Sequence, residues 1–267
     1  MPDAEHPGFF ARFKALPTDS VPKTIAVAVT LCLVASMVVS AAAVILRPVQ
    51  ERNRLLDKQK NVLQVAGAYE PGIDIGKAFS AFEPHILALE SGQFTDQFEI
   101  ESFDELARST DPAIVRQLSD DPAGIGSQMK YQMVYILRDQ SDQIDKVILP
   151  IKGYGLWSTL YGFIALEENG NDVFGLQFYQ HGETPGLGAE VDNPRWKSQW
   201  REKQLFDESG ELQISVAKSV SPAGKQFHVD ALAGATLTSR GVDNLVKFWM
   251  GAQGYGPFLK RLQAGEI

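Results

Sequence analysis

At 267 residues, 44% apolar and 22% charged, the chain is long enough for one substantial globular domain with additional segments. Its formal charge of −8 arises entirely after Leu46, because Asp3, Glu5 and Asp19 balance Arg12, Lys14 and Lys23 before that point. An acidic domain without a basic stripe argues against nucleic acid as a partner. A single cysteine, Cys32, excludes an intrachain disulfide and a thiolate-bound metal or iron–sulfur cluster.

Residues 1–23 are short and mixed, with Phe9, Phe10 and Phe13 beside Arg12 and Lys14, a composition suited to a membrane surface. Thr24 to Leu46 then runs uncharged and apolar. At 1.5 Å per residue its roughly 23 residues reach about 34 Å, enough to cross a hydrocarbon core of about 30 Å. Ala41-Ala42-Ala43 offers small residues for cleavage, but the apolar run exceeds the usual core of a signal peptide. Residues 24–46 therefore read as an uncleaved, single transmembrane helix. Beyond Arg47, Leu55, Leu56, Gln59, Val62, Leu63 and Ala66 share a helical face until Gly67 and Pro71-Gly72 end it. Residues 47–72 read as a helical stalk, and residues 73–267 as a soluble domain.

Within that domain, residues 77–92 carry a second helical pattern interrupted near Pro84, and the acidic stretch 94–128 is loop-rich. From Gln132 the period shortens. Met133 to Leu137 and Ile144 to Pro150 read as strands joined by the polar turn Asp139 to Gln143. Leu160 to Leu166 and Val173 to Tyr179 form another pair around Asn169-Gly170-Asn171. Trp196 to Gln204 reads as a short helix and Leu212 to Val220 as a strand. In the last segment, Val242, Leu245, Val246, Trp249 and Met250 recur at helical spacing and Gly251 closes the run. Strands with helices segregated around them make an α+β domain.

Three stretches stand out for chemistry. Asp230 to Ser239 (DALAGATLTS) places small residues and a hydroxyl just ahead of the last helix, where free N–H groups and the positive dipole end favour phosphate. The simpler reading is a turn with Thr238 or Ser239 as helix cap. Gly153 to Ser158 sets Trp157 on a glycine-flanked loop, as a ligand platform or as core, and Gln180 to Glu190 is a glycine-rich loop with hydroxyl and carboxylate groups. No Gly-x-Gly-x-x-Gly or Walker pattern is present. The four histidines lack metal-ligand spacing, and Glu183 and Glu190 read as solvated charges rather than a catalytic pair.

Together, Gly153 to Ser158, Tyr161-Gly162-Phe163, Tyr179 to Trp196 and Asp230 to Ser239 resemble the C subunit of the bacterial Na+-translocating NADH:quinone oxidoreductase. The resemblance spans nearly the whole chain and is most specific from Glu183 to Pro194. Ala233 departs from it, since members often carry Ser or Thr there. It implies a single N-terminal transmembrane helix followed by an antiparallel-sheet FMN-binding domain with flanking helices, the flavin region lying at about residues 130–250. FMN would be linked through its phosphate to Thr236 by a flavin transferase. It would carry single electrons in an inner-membrane complex, with that complex's other membrane subunits as partners, that oxidises NADH, reduces ubiquinone and exports Na+. Trp157 and Leu187 would pack on the flavin ring, and Glu183 and Thr184 would make polar contacts. The backbone of Gly234, Ala235, Leu237 and Thr238 would hold the phosphate, and Leu156 and Asp230 complete the cofactor-binding set. The resemblance implies neither a catalytic acid–base residue nor a metal ligand.

Two other readings stand beside it. The G subunit of the ferredoxin:NAD+ oxidoreductase complex shares the Asp…Gly-Ala-Thr pattern but not the long match from Glu183 to Pro194. A membrane-tethered, non-redox binding module would be colourless, unlike either flavoprotein. Topology sets charge against resemblance. Three bases precede the apolar run, and Arg47, Arg52, Arg54, Lys58 and Lys60 follow it, which places the domain in the cytoplasm by the positive-inside rule. That rule weakens for long domains, and the resemblance places residues 1–23 inside and the domain in the periplasm.

Overall fold

The computed structural model describes residues 13, 15–17, 20–103, 110–219 and 221–267. The expected surface segment at Phe9, Phe10, Arg12 and Lys14, and the Val220 end of the expected last strand, lie outside them. The chain divides into two compact units, Met1–Leu55 and Leu56–Ile267. Helix α1, Val21–Val65, begins in the first and ends in the second.

From Thr24 to Leu46 α1 is apolar on every side, and Val27, Leu31, Val38 and Ile45 are all exposed. A helix apolar all round has no face for water and requires a core or a bilayer. Among the described residues it is the one helix long and apolar enough to cross a membrane.

In the second unit its final turns become amphipathic and bury Asn61, Val62, Leu63 and Val65. Gly67, at φ 71°, stops the helix. The Ala68 N–H returns to the Leu63 carbonyl (2.8 Å) and the Gly67 N–H to Gln64 (3.1 Å), the paired bonds of a left-handed C-cap. Leu56 opens this unit.

The unit is built on a seven-stranded antiparallel sheet whose order is Gln93–Phe94 (β2), Phe82–Ala88 (β1), Tyr131–Arg138 (β5), Ile144–Tyr154 (β6), Thr159–Glu167 (β7), Asp172–Gln180 (β8) and Lys203–Gln204 (β9). Its long central strands are β5 (Tyr131–Arg138), β6 (Ile144–Tyr154), β7 (Thr159–Glu167) and β8 (Asp172–Gln180), as the alternating pattern predicts. Side chains close the hairpins at the expected turns. Asp139 Oδ1 accepts from the N–H groups of Ser141 and Gln143, and Asn169 Oδ1 from those of Asn171 and Asp172.

Four local expectations need correction. The helical pattern at 77–92 resolves into a short helix α2 (Ile75–Phe79), strand β1 (Phe82–Ala88) and the two-residue β2 (Gln93–Phe94). Pro84 breaks the helix but sits in β1 where β2 does not reach, an edge position that tolerates a missing N–H. Within the stretch 94–128, Val115–Gln117 (β3) pairs with Ser127–Met129 (β4). The expected helix 196–204 is shorter: α3 spans Pro194–Ser198, with Asn193 accepting from the Arg195 N–H as cap, and Lys203–Gln204 joins the sheet edge as β9. The expected strand from Leu212 narrows to β10 (Ser215–Ala217), which pairs in parallel with β11 (His228–Asp230), the one parallel pair among the described strands.

Each sheet face carries a core. On one, Val147, Leu149 and Ile151 join Leu245, Val246 and Trp249 of α4 (Thr236–Met250) and Phe258 and Leu259 of α5 (Gly256–Gln263). On the other, Ile148, Phe163 and Tyr135 join Val62 and Leu63 of α1. Two large aromatics of the first core tie the helices to the sheet through their polar atoms. Trp249 Nε1 donates to the Lys152 carbonyl (2.7 Å) and the Tyr255 hydroxyl to that of Pro150 (2.6 Å). Both bonds fix α4 and α5 to β6. The first turn of α4 is thereby placed at the β6–β7 end of the sheet.

Candidate functional site

The site forms where β11 turns into α4. Gly234, at φ 73°, reverses the chain between the buried Leu232 and Ala235. A Cβ on Gly234 would stand 3.1 Å from Leu187 Cδ2, so the glycine also admits that side chain. Thr236 is the first residue of α4, whose N-cap, Ala235, supplies no side-chain hydrogen bond. The opening N–H groups of the helix, without partners in the helix itself, point toward the turn.

The three hydroxyls that follow have different fates. Thr238 and Ser239, expected as caps, are buried in the first turn and do not cap it. Ser239 Oγ accepts from the Leu232 N–H and donates to the Ala235 carbonyl, both at 2.9 Å, which braces the turn. Thr238 Oγ1 donates to Glu183 Oε2 at 2.6 Å. Thr236 is exposed, and among the described residues nothing hydrogen-bonds its hydroxyl. Of the three, only Thr236 is free to react.

Glu183 is not a solvated surface charge. It is 5% exposed, and its Oε1 accepts from the N–H groups of Leu156 and Trp157, both at 3.0 Å. Burial alone would raise its carboxyl, but hydrogen bonds from Thr238 and from the Trp157, Leu156 and Ser158 backbone outweigh that and hold it below the ordinary carboxylate range. The pairing with Glu190 is absent from the geometry, since Glu190 instead accepts from Asn193 Nδ2. Close approach completes the junction. A Cβ on Gly241 of α4 would collide with the Tyr154 carbonyl and Gly155, so only glycine brings the helix this near the loop.

Trp157 lies outside the core, at 65% exposure, because its backbone rather than its ring turns inward to Glu183. Leu156, Leu187 and Leu237 are exposed as well, as is Tyr154, which the sequence expectation did not include. Thr184 is exposed and its carbonyl accepts from the Leu187 and Ala189 N–H groups, ordering the glycine-rich loop. Asp230 is held apart from this group. Its carboxylate pairs with His228 (3.1 Å), its carbonyl accepts from Trp196 Nε1 (2.8 Å), and its N–H donates to Gln199.

The structure thus gathers Leu156, Trp157, Glu183, Leu187, Gly234, Ala235, Leu237 and Thr238 around the Thr236 turn. Sequence reasoning passed over Gly241 and the bracing role of Ser239. Their signal was available only as a small or hydroxyl residue on the apolar side of a helix. Among the described residues, no group of His, Cys, Asp and Glu is placed to hold a metal ion.

Residues 155–251 match the FMN-binding domain family, a stretch that contains every residue of this gathering. The C subunit of the Na(+)-translocating NADH-quinone reductase of Pseudomonas aeruginosa is 48% identical over 93% of this chain and 98% of its own length. The same subunit of Yersinia pestis is 45% identical over 93% of this chain and 96% of its own. The chain belongs to the family of Na(+)-translocating NADH-quinone reductase C subunits. The crystal structure of Shewanella oneidensis NqrC superposes with a TM-score of 0.72 at 33% identity, over 81% of this chain and 99% of that one. The C subunit from Parabacteroides distasonis gives a TM-score of 0.60 at 26% identity, over 80% and 96%. The antiparallel-sheet domain with flanking helices is therefore the fold of this family.

Proposed function

We propose that this chain is the flavin-carrying subunit of a Na+-translocating NADH:quinone reductase, with FMN joined through its phosphate to Thr236. The observation that carries the proposal is the state of Thr236, the one exposed and unengaged hydroxyl at an uncapped helix N-terminus inside the FMN-binding match.

The residues around it fit such a group. A phosphate at Thr236 meets the opening N–H groups of α4 and the positive end of its dipole. Exposed Trp157, Leu156, Leu187 and Leu237 supply apolar surface for a planar ring system, and Gly234 lets Leu187 reach the turn. Bound FMN supplies one-electron chemistry, for which the protein needs to bind and orient rather than to transfer protons. Glu183, its oxygens engaged by Thr238 and the loop N–H groups, holds the ring-facing loop, while Ser239 braces the turn that carries the acceptor. Asp230 and Thr184 belong to the supporting loops.

In this reading electrons pass through the chain within a complex that oxidises NADH, reduces ubiquinone and exports Na+, the other membrane subunits being its partners. A flavin transferase installs the cofactor. Residues 24–46 cross the inner membrane once, residues 1–23 face the cytoplasm, and the domain stands in the periplasm. No charged side chain lies within Thr24 to Leu46, so this span offers no charged ion ligand.

The test is an intact mass measurement on the chain produced together with a flavin transferase. The expected result is an increment of one FMN less one water, located by fragmentation to the peptide containing Thr236. An unmodified, colourless chain overturns the proposal in favour of a tethered binding module.

A further inference from the structure

We infer that Glu183 is a positioning residue: its buried carboxylate straps the Leu156–Trp157 loop to the first turn of α4 and places a fixed negative charge directly behind the site. The inference rests on the flavin-carrying reading and assigns to Glu183 a role other than contact with the cofactor.

The geometry is that of a strut between a loop and a helix. One oxygen takes the Leu156 and Trp157 N–H groups at 3.0 Å, and the other takes the Thr238 hydroxyl at 2.6 Å. Both ends of the strut adjoin residues of the site: Trp157 itself on the loop, and on the helix Thr238, two positions after Thr236. The surroundings are built to admit the carboxylate closely. A Cβ on Gly155 would stand 2.5 Å from Glu183 Oε1, and one on Gly188 would stand 2.6 Å from both Oε2 and Thr238 Oγ1. At 5% exposure the carboxylate has no solvent to replace these partners, so loss of the strut frees the loop rather than rehydrating it.

The arrangement separates charge from geometry in a way mutation can exploit. In Glu183→Gln the amide oxygen can still accept both loop N–H groups, and the amide nitrogen can donate to Thr238 once its hydroxyl rotates. That variant keeps the strut and removes the charge. Thr238→Val keeps the charge and cuts the strut at the helix end, and Glu183→Ala removes both.

Two measurements on the full chain in detergent decide the matter. Amide hydrogen exchange at residues 155–158 is read on flavin-free protein, so it stands whether or not the chain carries FMN. Exchange there should rise about tenfold or more in Glu183→Ala, several-fold in Thr238→Val, and by less than about twofold in Glu183→Gln. Unchanged exchange in Glu183→Ala, with the fold intact by circular dichroism, overturns the strut. The second measurement is the midpoint potential of protein loaded by flavin transferase. Removing a negative charge from behind the site favours the reduced, more negative flavin, so Glu183→Gln should raise the potential while its loop exchange stays at the wild-type level. A potential unchanged in Glu183→Gln removes the charge from the role. Loss of flavin from the wild-type chain instead overturns the flavin-carrying reading and leaves the exchange result standing.

Discussion

Two regions of this molecule leave apolar side chains uncovered, and they do so for different reasons. Along α1 from Thr24 to Leu46, Val27, Leu31, Val38 and Ile45 are exposed because that stretch has no polar face. Composition alone dictates that, and a bilayer is the solvent that removes the cost. Around Thr236, Leu156, Trp157, Leu187 and Leu237 are exposed although the same domain buries Trp196, Trp200 and Trp249. Here the cause is arrangement. Polar groups that would ordinarily face water, Glu183, Thr238 and Ser239, have been taken inside to hold the backbone, and the apolar groups have been left outside. An exposed apolar helix tells where a protein resides; an exposed apolar patch underlain by satisfied buried polar groups marks a site.

The sharpest way to break the comparison is to remove the exposed hydroxyl from the second region. Thr236→Ala should eliminate covalent flavin fluorescence on a denaturing gel, whereas Thr238→Ala, one of the buried hydroxyls, should keep the label. A labelled Thr236→Ala band of full intensity would sink the assignment. For the first region the outcome is also all-or-none. Alkaline phosphatase fused after Ile267 should be active, and a fluorescent protein that matures only in the cytosol should be dark. The reverse pair of results would show that Arg47, Arg52, Arg54, Lys58 and Lys60 set the orientation after all.

How much of this was legible beforehand follows from the range of the forces involved. The apolar run, the hairpins at Asp139 and Asn169, and the amphipathic face of α4 are local patterns, and the structure reproduces them. Pro84 was misread because a proline inside a helical period and a proline on a sheet edge look alike until the neighbouring strand is known. Thr236 stood out through its neighbours in sequence, and the turn formed as expected. What escaped were the inward-facing groups. Whether Glu183 meets water or a loop 26 residues away depends on tertiary contact, and the same contact turned Trp157 from a candidate core residue into a surface one.

Tryptophan substitution sharpens the contrast within the domain. Trp249 is 1% exposed and donates to the Lys152 carbonyl, so Trp249→Ala leaves both a cavity and an orphaned acceptor. It should cost about 3–5 kcal/mol in denaturant unfolding. Trp157→Ala, by comparison, should stay within about 0.5 kcal/mol, as surface changes do. Comparable losses at the two positions would mean that Trp157 is a core residue.

A smaller effect is expected from pH. The folded Glu183 carboxyl lies below its unfolded value of about 4.3, so its ionised bonds stabilise the domain fully above that value. The contribution is lost as pH falls from there through the lower folded value. The stability difference between wild type and Glu183→Gln should therefore be constant from pH 7 down to about 5 and shrink below that. A difference that persists unchanged at about pH 3 would show that folding does not lower the Glu183 carboxyl.

The finest effect belongs to the indole itself. With Trp157 exposed and its backbone held from behind, the ring contributes little to folding and is available to a planar partner. An aromatic pair contributes about 0.5–1.5 kcal/mol beyond its buried area, too little to decide whether a covalently held cofactor stays attached. Trp157→Leu should accordingly retain the label at full stoichiometry. Its consequence should appear in the electronic environment of the flavin, as brighter fluorescence from loss of a stacked quencher or as a shifted potential. Flavin emission and potential both equal to wild type would mean that the indole lies away from the ring, and that the exposed leucines alone make the apolar surface of the site.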